Sequence, residues 1–463
     1  MTDSNTIPRV VVVGGGISGL AAAHRLSTSG LSVTLVEKSE QLGGKVITDR
    51  IDGFVIERGP DSFVAGKRTV IELATELGIA GRIISTRSEH WGSYVWSRGR
   101  LHPLPSGLLL MAPSRLRPLF GSSLLSWRGK FRAAADLLVP RRRARGDESL
   151  ESFVVRRLGR EVLDRIAEPL IAGIHAADPA TMSLEASFPR FLEMERDHRS
   201  LILAARAASK RTGTPNSSHF ASFQTGMGEL TAALISSLAD PRTRVAVRRL
   251  RARGADGFIL DLSDGSQLEA EGVVLATPAR ETASLLGEVA PKPSDAVASI
   301  RQVSTTAVTL AYRSDQIPVL SGSGFVVPAV EGRRVMGVSF LSQKWGGRVP
   351  SEQFALLRAF LRRGDRNQPA EIVKKELAEL VGIRAQPILE KVHTWEGGLH
   401  QYSLGHRDRV AGAEDGLGEF PGLALAGAAF HGIGLNECIA SGRRAADHIA
   451  AQIRLRPRTV VSR

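Results

Sequence analysis

A glycine-rich turn near the start of the chain has the spacing that binds a dinucleotide. Gly14, Gly16 and Gly19 form the pattern G-x-G-x-x-G between a run of β-branched residues and a segment with helical spacing. The first glycine permits a tight turn, the second lets a pyrophosphate approach the backbone, and the third allows close packing of the helix. The helix would offer free N–H groups and its positive dipole end to the phosphates. Alone, this six-residue pattern is a weak indication.

A carboxylate further along the chain makes this interpretation more specific. Glu37 lies eighteen residues after Gly19, at the end of the next strand-like run, where it would hold the ribose hydroxyls. It would also repel a 2′-phosphate, which speaks against NADP. Gly43 and Gly44 alone are an ordinary turn. Completed by Lys45, however, the arrangement E-x5-G-G-[KR] resembles the extended fingerprint of two-dinucleotide-domain flavoproteins, so FAD is favoured over NAD.

Two further turns would suit a ligand as long as FAD. Gly59-Pro60-Asp61-Ser62 is rich in turn residues, although by itself it decides nothing. Near the other end of the chain, several glycines precede a helix that we expect to begin near Asn436, and its free N–H groups could serve a cofactor. No metal site is predicted.

The elements around these motifs alternate between strand and helix. Residues 7–13, 20–29 and 32–37 form a predicted βαβ unit. A short amphipathic helix is expected over 70–77, and a pair of strands over 92–101.

The middle of the chain, residues 102–210, is rich in Leu, Arg and Ala and has helical spacing at 149–158, 161–171 and 201–209. Alternation then resumes, and 267–276 is predicted to be one buried strand. A last strand at 423–426 and a helix at 436–453 complete the prediction.

We therefore predict an α/β fold in which a Rossmann-like FAD-binding domain of the two-dinucleotide-domain type carries a mixed α+β substrate domain and a helical insertion. The FAD-binding domain would combine residues 1–90, 211–285 and 416–463. The substrate domain would combine 91–101 with 286–415, and the insertion would be 102–210, with a membrane-facing role as one option.

Composition indicates a folded chain that does not span a membrane. Of the 463 residues, 43% are hydrophobic and 23% charged, close to globular averages. No apolar run approaches the roughly 18 residues of a spanning helix, and the N-terminus lacks the basic region of a signal peptide. The single cysteine, Cys438, excludes an intramolecular disulfide and agrees with a cytoplasmic location.

Positive charge is concentrated in one segment. The net charge is +14, and residues 98–145 carry eleven Arg or Lys against one acid, Asp136. Such a segment attracts nucleic acid, anionic lipid or acidic small molecules, and a solvated surface explains it equally well. Because 108–111 is apolar and lies beside Arg115, peripheral docking on the inner face of a membrane and a soluble substrate rim both stay open.

Taken in order, the motifs resemble the oxygen-dependent protoporphyrinogen oxidase and coproporphyrinogen III oxidase family of heme biosynthesis, within the flavin amine oxidase superfamily. The likeness spans nearly the whole chain. Beyond the glycine turns it rests on Thr225-Gly-Met-Gly228, on Glu168-Pro-Leu to Gly173, and on Trp395 with the string 401–406, Gln-Tyr-Ser-Leu-Gly-His. The last two features are more specific to this family than the glycine turn.

The resemblance implies a set of FAD contacts. They are Gly14, Gly15, Gly16, Ile17, Ser18, Gly19, Glu37, Lys38, Gly44, Lys45, Gly59, Pro60, Asp61, Ser62, Val247, Trp395, Ile433, Gly434 and Leu435. Val247 would act through its backbone. On periodicity alone, Val247 and Trp395 would be core residues, and Lys45 would be a solvated charge.

On the substrate side, the resemblance implies that Gly173 faces the macrocycle, that Val326 forms an apolar wall and that Phe360 stacks on the substrate. Plain core packing is an equal alternative for the last two. Where plant and animal protoporphyrinogen oxidases have an arginine, this chain has Ser93. In this it resembles the bacterial coproporphyrinogen-type members, and coproporphyrinogen III and protoporphyrinogen IX both stay open as substrates. His175 is given no catalytic role, and no catalytic residue is named.

The implied reaction removes six electrons and six hydrogens from a porphyrinogen, with dioxygen reduced to hydrogen peroxide and the product passed to a downstream chelatase. An amine oxidase or a carotenoid desaturase of the same fold is the enzymatic alternative. The low aromatic content, 5% with three Tyr, weakens the amine oxidase because that enzyme needs an aromatic cage. A basic lipid- or nucleic-acid-binding flavoprotein is the non-enzymatic alternative, and the intact glycine turn argues against it. No nucleic-acid partner and no oligomeric state are predicted.

Overall fold

The computed structural model describes residues 8–87, 92–144, 146–212, 220–239, 241–254, 257–319, 322–362 and 367–455. Arg145, the last residue of the basic segment, lies outside these ranges. Within them, two large sheets dominate the fold. One carries the glycine turn, and the other lies across from it.

A five-stranded parallel sheet carries the glycine turn. Across the sheet, its strands are Pro241–Arg242, Ser32–Val36, Arg9–Val13, Gly272–Leu275 and Leu423–Leu425. The helix Ile17–Thr28 connects two neighbouring parallel strands, so the predicted βαβ unit is confirmed. Because both faces of the sheet are covered, the central strands are unbroken apolar runs.

Helices cover one face of this sheet, and a small sheet with further helices covers the other. On the first face, the helix Ile17–Thr28 packs on the C-terminal helix Leu435–Leu455. The two backbones are so close that a Cβ at Gly442 would lie 2.1 Å from the Ser18 carbonyl oxygen. The elements on the second face are Val247–Ala252, Phe258–Leu262, Gln267–Ala270, Ala279–Val289, Pro291–Ala298 and His406–Leu417.

The predicted single strand over 267–276 is wrong, because the structure forms two strands in two different sheets. Gln267–Ala270 alternates in burial and pairs antiparallel with Phe258–Leu262. Gly272–Leu275 is buried throughout and joins the parallel sheet. The chain changes sheets at Glu271, where the alternation of polar and apolar residues in Gln267–Ala270 gives way to the apolar run Gly272–Leu275. Only one residue separates the two strands, and the prediction joined them.

A seven-stranded mixed sheet forms the second layer. Across the sheet, its strands are Leu389–His400, Gln302–Arg313, Phe354–Leu361, Val335–Phe340, Gly324–Val326, Ser93–Ser97 and Arg100–Pro103. The last two are the predicted strand pair, and it turns at Arg98 and Gly99, which both have positive φ. The helix Pro369–Val381 buries one face of the sheet, and the other face is turned towards the candidate site.

Shorter elements connect these layers. The remaining strands are Thr48–Ile51, Phe54–Glu57, Phe63–Val64, Ile83–Ser85, Phe220–Phe223, Leu108–Leu109 and Ala112–Pro113. The connecting helices are Thr69–Glu76, Gly228–Ser236 and Leu341–Lys344.

The predicted helical insertion forms a module with its own apolar core. Its α-helices are Leu116–Gly121, Trp127–Ala134, Leu150–Arg157, Arg160–Val162, Glu168–His175, Leu184–Ser187, Pro189–His198 and Leu201–Thr212, and a π-helical turn spans Leu163–Ala167. The only acid of the basic segment, Asp136, is fully buried and paired with Arg157. The division into domains at the boundaries given above stays a prediction. No helix of the described ranges is both long and apolar enough to cross a membrane.

Candidate cofactor and substrate site

The three motif glycines differ in what surrounds them. At Gly14, with φ +107°, a Cβ would lie 2.7 Å from the Ala276 carbonyl oxygen, and at Gly19 it would lie 1.9 Å from that of Gly14. Packing alone therefore requires glycine at both positions. At Gly16 the backbone has φ −73°, which any residue can adopt, and a Cβ would meet nothing within 4 Å. This position opens on space, as the approach of a ligand to the backbone requires.

The carboxylate of Glu37 is hydrogen-bonded to this turn. It accepts hydrogen bonds from the backbone N–H of Gly15 at 2.6 Å, from that of Ser39 at 2.8 Å and from the Ser39 hydroxyl at 2.6 Å. Glu37 also bonds through its backbone to the segment that leads to Val247. Val247 itself is half-buried and packs against an apolar core. Lys38 lies at the surface, where it pairs with Glu281 at 3.1 Å.

The second glycine pair lies directly against the first turn. Gly43 donates its N–H to the Gly15 carbonyl oxygen at 2.8 Å, and a Cβ at Gly44 would lie 3.0 Å from the Cα of Gly16. The structure thus joins two motifs that are far apart in the sequence. The next residue, Lys45, makes no hydrogen bond or ion pair within the part of the chain that the structure describes.

The loop Gly59 to Ser62 is fixed between Lys45 and the seven-stranded sheet. A Cβ at Gly59 would lie 2.0 Å from the Lys45 carbonyl oxygen, so only glycine permits this contact. From the sheet, Arg358 donates to the Gly59 carbonyl at 2.5 Å, and the Trp395 indole N–H donates to the Arg58 carbonyl at 2.8 Å. Trp395 therefore positions the loop and is not merely a core residue.

Asp61 is an enclosed carboxylate within this loop. It accepts from the Lys344 ammonium at 2.9 Å and from the Trp345 indole N–H at 3.2 Å. Burial alone would raise its pKa, but Lys344 and, at longer range, Arg358 outweigh burial and hold the pKa below its usual range. The loop thus has a fixed negative charge that is already neutralised by its neighbours.

The string 401–406 forms hydrogen bonds with the turn before the C-terminal helix and with the helical insertion. The Tyr402 hydroxyl donates to the Ala428 carbonyl at 2.9 Å and accepts the Gly432 N–H at 2.6 Å. His406 stacks on the Tyr402 ring at 3.8 Å and bonds to the Phe430 carbonyl. Gln401 donates to the carbonyl of His175 at 3.0 Å, at the end of a helix of the insertion. The string therefore fixes the glycine turn at 427–434, which precedes Leu435 and the C-terminal helix.

Buried neutral histidines should make the protein sensitive to acid. Burial lowers the pKa of His400 to about 3 and that of His406 to about 4, from 6.5. The unfolded chain then binds more protons than the folded one between these values, so the free energy of unfolding falls as the pH drops below about 6.5. For His406 alone we expect a loss of up to about 3 kcal/mol by pH 4. In urea titrations, His406→Phe should reduce the change of the free energy of unfolding with pH. Tyr402→Phe, which alters the same ring stack, should leave that change as it is in the native protein. Equal pH dependence in all three proteins would contradict the assignment to His406.

The three predicted substrate residues lie on the same side of the seven-stranded sheet. Phe360 and Val326 both pair with Gly337, one from each neighbouring strand. Phe360, Gly337 and Val326 therefore lie in a row on one face of the sheet. Glu168 bonds to Arg362 at 3.1 Å and to the Ala329 N–H at 3.0 Å, which holds the helix Glu168–His175, with Gly173 in it, across this face.

Sequence reasoning missed Arg358, Lys344 and Trp345. Arg358 is a lone charge in the apolar strand FALLRAFL, and such a residue in a buried strand needs a partner, so the sequence did carry a signal. Lys344 and Trp345 carry no comparable signal, because their partner, Asp61, is 283 residues away from the lysine.

The parallel sheet and the paired glycine turns define the class of protein as a dinucleotide-binding flavoprotein. A family model described as flavin-containing amine oxidoreductase matches residues 17–450. A coproporphyrinogen III oxidase from Propionibacterium freudenreichii subsp. freudenreichii is 35% identical, over 95% of this chain and 90% of that protein. A protoporphyrinogen oxidase from Bos taurus is 31% identical, over 95% and 98% respectively. The crystal structure of a protein from Exiguobacterium sp. 255-15, provisionally assigned as a protoporphyrinogen oxidase, has a TM-score of 0.85 at 30% identity and covers 98% of this chain and 100% of that chain.

The chain belongs to the flavin-containing amine oxidoreductases, and within them to the family of protoporphyrinogen and coproporphyrinogen III oxidases. It is an FAD-dependent oxidoreductase, as the sequence predicted. The residues present fit the cofactor, because Gly16 opens on space and Lys45 is a cation without an anionic partner among the described residues.

Proposed function

We propose that this enzyme oxidises a porphyrinogen to the corresponding porphyrin in heme biosynthesis, with coproporphyrinogen III as the preferred substrate. The observation that carries the proposal is the row of Phe360, Gly337 and Val326 under the helix that contains Gly173. A glycine between two apolar side chains leaves a flat strip, which suits a large planar ring. The coproporphyrinogen III oxidase relative at 35% identity supports this choice of substrate.

FAD would be held by two sets of contacts. The N–H groups that follow Gly16 would receive the pyrophosphate, Glu37 the ribose, and the backbone of Val247 the adenine end. The loop Gly59 to Ser62 and the turn at Ile433 to Leu435 would face the flavin end. When bound, the flavin supplies the two-electron acceptor chemistry.

The protein's own contribution is to position the substrate and to exclude water. Phe360 and Val326 would hold the macrocycle flat by apolar contact, and the helix Glu168–His175 would close the opposite side. Six electrons and six hydrogens leave the substrate in three equal steps, and three dioxygen molecules become three hydrogen peroxide molecules. No side chain is assigned as a proton acceptor in this scheme.

The proposal is tested by supplying each porphyrinogen in air and following porphyrin fluorescence, dioxygen uptake and peroxide. We expect three dioxygen molecules consumed for each porphyrin, and a higher kcat/KM with coproporphyrinogen III. A higher kcat/KM with protoporphyrinogen IX would reverse the substrate assignment. The comparison must be run against spontaneous oxidation without enzyme.

The basic segment has an exposed aromatic cluster that supports membrane docking. Trp127 and Phe131 are 65% and 64% exposed, and both pack against Phe120. Exposed Arg115 and Arg128 lie in the same segment, and no acid other than the buried Asp136 does. Aromatic rings with basic neighbours suit the surface of an anionic bilayer. We therefore propose peripheral contact with the cytoplasmic face of a membrane, from which the porphyrin would pass to a chelatase.

Removing the two exposed rings should weaken this docking. Trp127→Ala with Phe131→Ala should reduce binding to phosphatidylglycerol-containing vesicles at least about a hundredfold, because each ring contributes roughly 1.5–3 kcal/mol when fully buried, or roughly 3–6 kcal/mol for the pair. Cosedimentation with vesicles measures the effect. Ile388→Ala, at a half-exposed residue elsewhere on the surface, is the matched control and should change nothing. If the native protein stays in the supernatant with these vesicles, membrane docking is excluded.

A further inference from the structure

The helix Glu168–His175 is joined to the seven-stranded sheet by two ion pairs of opposite polarity. Arg165, just before the helix, lies 3.0 Å from the Glu331 carboxylate, and Glu168 lies 3.1 Å from the Arg362 guanidinium. Less than a quarter of each of these four side chains is exposed, so solvent screens both pairs less than it screens pairs at the surface. A shift of the helix by three residues would place Arg165 opposite Arg362, where like charges repel. The two pairs therefore fix one position of the helix along the sheet.

The sheet residues of these pairs also shape the floor of the proposed substrate site. That floor is the row Phe360, Gly337 and Val326, and we call the space between it and the helix the substrate slot. Arg362 follows Phe360 by two residues, and its guanidinium donates to the carbonyl of Val327, next to Val326. The same guanidinium bonds to the first residue of the helix. One arginine therefore links the floor of the slot to the helix above it.

The far end of the helix is held as well. Its last residue, His175, accepts a hydrogen bond at its carbonyl from the Gln401 side chain at 3.0 Å, and Gln401 follows the edge strand Leu389–His400. The turn before the helix, Leu163–Ala167, is π-helical, and helices bend at such turns. Arg165 lies within this turn. Without the two ion pairs, the helix would be free to lift from the sheet at this end.

We propose that Arg165 and Glu168 are positioning residues that set the depth of the substrate slot. This inference deepens the proposed function and rests on it, because the slot is assigned there to a porphyrinogen. Apolar contact with the floor and with the helix holds a ring only at one separation, since a gap of about 0.5–1 Å loses roughly a quarter to a half of the contact energy. A helix that lifts would therefore weaken the binding of the ring and admit water to it.

The test compares Arg165→Met, Glu168→Gln and the double variant with the native holoenzyme, using coproporphyrinogen III in air. We expect each single variant to raise KM about threefold to tenfold, because each removes the charge of one partner from its ion pair. The double variant should raise KM by more than the product of the two single effects, since either pair alone still holds the helix. The kcat at saturating substrate should change less than KM. Arg165→Lys keeps the charge and should keep KM close to the native value.

Hydrogen exchange and a surface control separate positioning from stability. In the holoenzyme without substrate, the amides of residues 168–175 should exchange faster in the double variant than in the native protein. Arg160→Met, which removes an exposed ion pair with Glu151 within the insertion, is the matched control and should change neither KM nor exchange. Native turnover with an unchanged KM or unchanged exchange in the double variant would overturn this inference alone, even if that variant were less stable. A native protein that oxidises neither coproporphyrinogen III nor protoporphyrinogen IX would refute the proposed function, and this inference with it.

Discussion

Gly16→Ala should strongly weaken flavin binding while leaving the fold intact. The backbone at Gly16 has φ −73°, and the added methyl group meets no protein atom within 4 Å, so the folded apoprotein gains no strain. The methyl group would instead occupy the space through which the pyrophosphate reaches the N–H groups of the first helix. We expect FAD affinity to fall at least about hundredfold, equivalent to about 2.8 kcal/mol. Fluorescence titration of the apoprotein with FAD measures this loss.

Two comparisons make this expectation specific. Gly412→Ala, at an exposed position of the helix His406–Leu417 with no atom within 4 Å of the added Cβ, should keep full flavin content and gain a few tenths to about 1 kcal/mol of stability. Gly19→Ala should destabilise the protein itself, because its Cβ would collide with the Gly14 carbonyl. A Gly16→Ala protein that binds FAD with native affinity would show that the cofactor does not approach this turn.

Arg358→Met should loosen the loop that links the two halves of the site. Arg358 is almost completely buried, and it donates to the carbonyls of Gly59 and Arg58. Without it the Gly59 carbonyl loses its partner, and Asp61 loses one of the cations that hold its pKa down. A buried group left unpaired costs roughly 1–3 kcal/mol, and we expect about 2–3 kcal/mol of lost stability together with reduced flavin content.

Urea unfolding with flavin analysis checks this result. Arg251→Met is the matched control, since Arg251 pairs with Asp261 at the surface and such pairs contribute little. We expect no measurable change in the free energy of unfolding there. If both variants lost the same stability, the buried arginine would have no special role in fixing the loop.

The sequence predicted the local parts of this site well because each has a local physical cause. Gly14 takes a positive φ in the tight turn, Gly19 is forced by its contact with the Gly14 carbonyl, and Glu37 directly follows the strand next to the turn. The βαβ unit followed from its spacing in the same way. These features need only neighbouring residues to be understood.

What joins the motifs could not be predicted, since it depends on residues that are distant in the chain. Nothing local indicates that Arg358 bonds to the Gly59 carbonyl, or that Gln401 reaches the carbonyl of His175. The change of sheet at Glu271 was missed because a single residue separates the alternating strand Gln267–Ala270 from the buried strand Gly272–Leu275, and which sheet each one joins depends on distant partners. The roles of individual residues at the flavin and at the substrate stay proposals.

The central claim is that bound FAD in this protein takes electrons from a porphyrinogen. The most direct measurement is a titration of the purified holoenzyme with coproporphyrinogen III under argon, followed by its visible absorbance. We expect the flavin to bleach as substrate is added, and admission of air to restore its colour as porphyrin fluorescence grows. Flavin that stays oxidised with both coproporphyrinogen III and protoporphyrinogen IX would contradict the account.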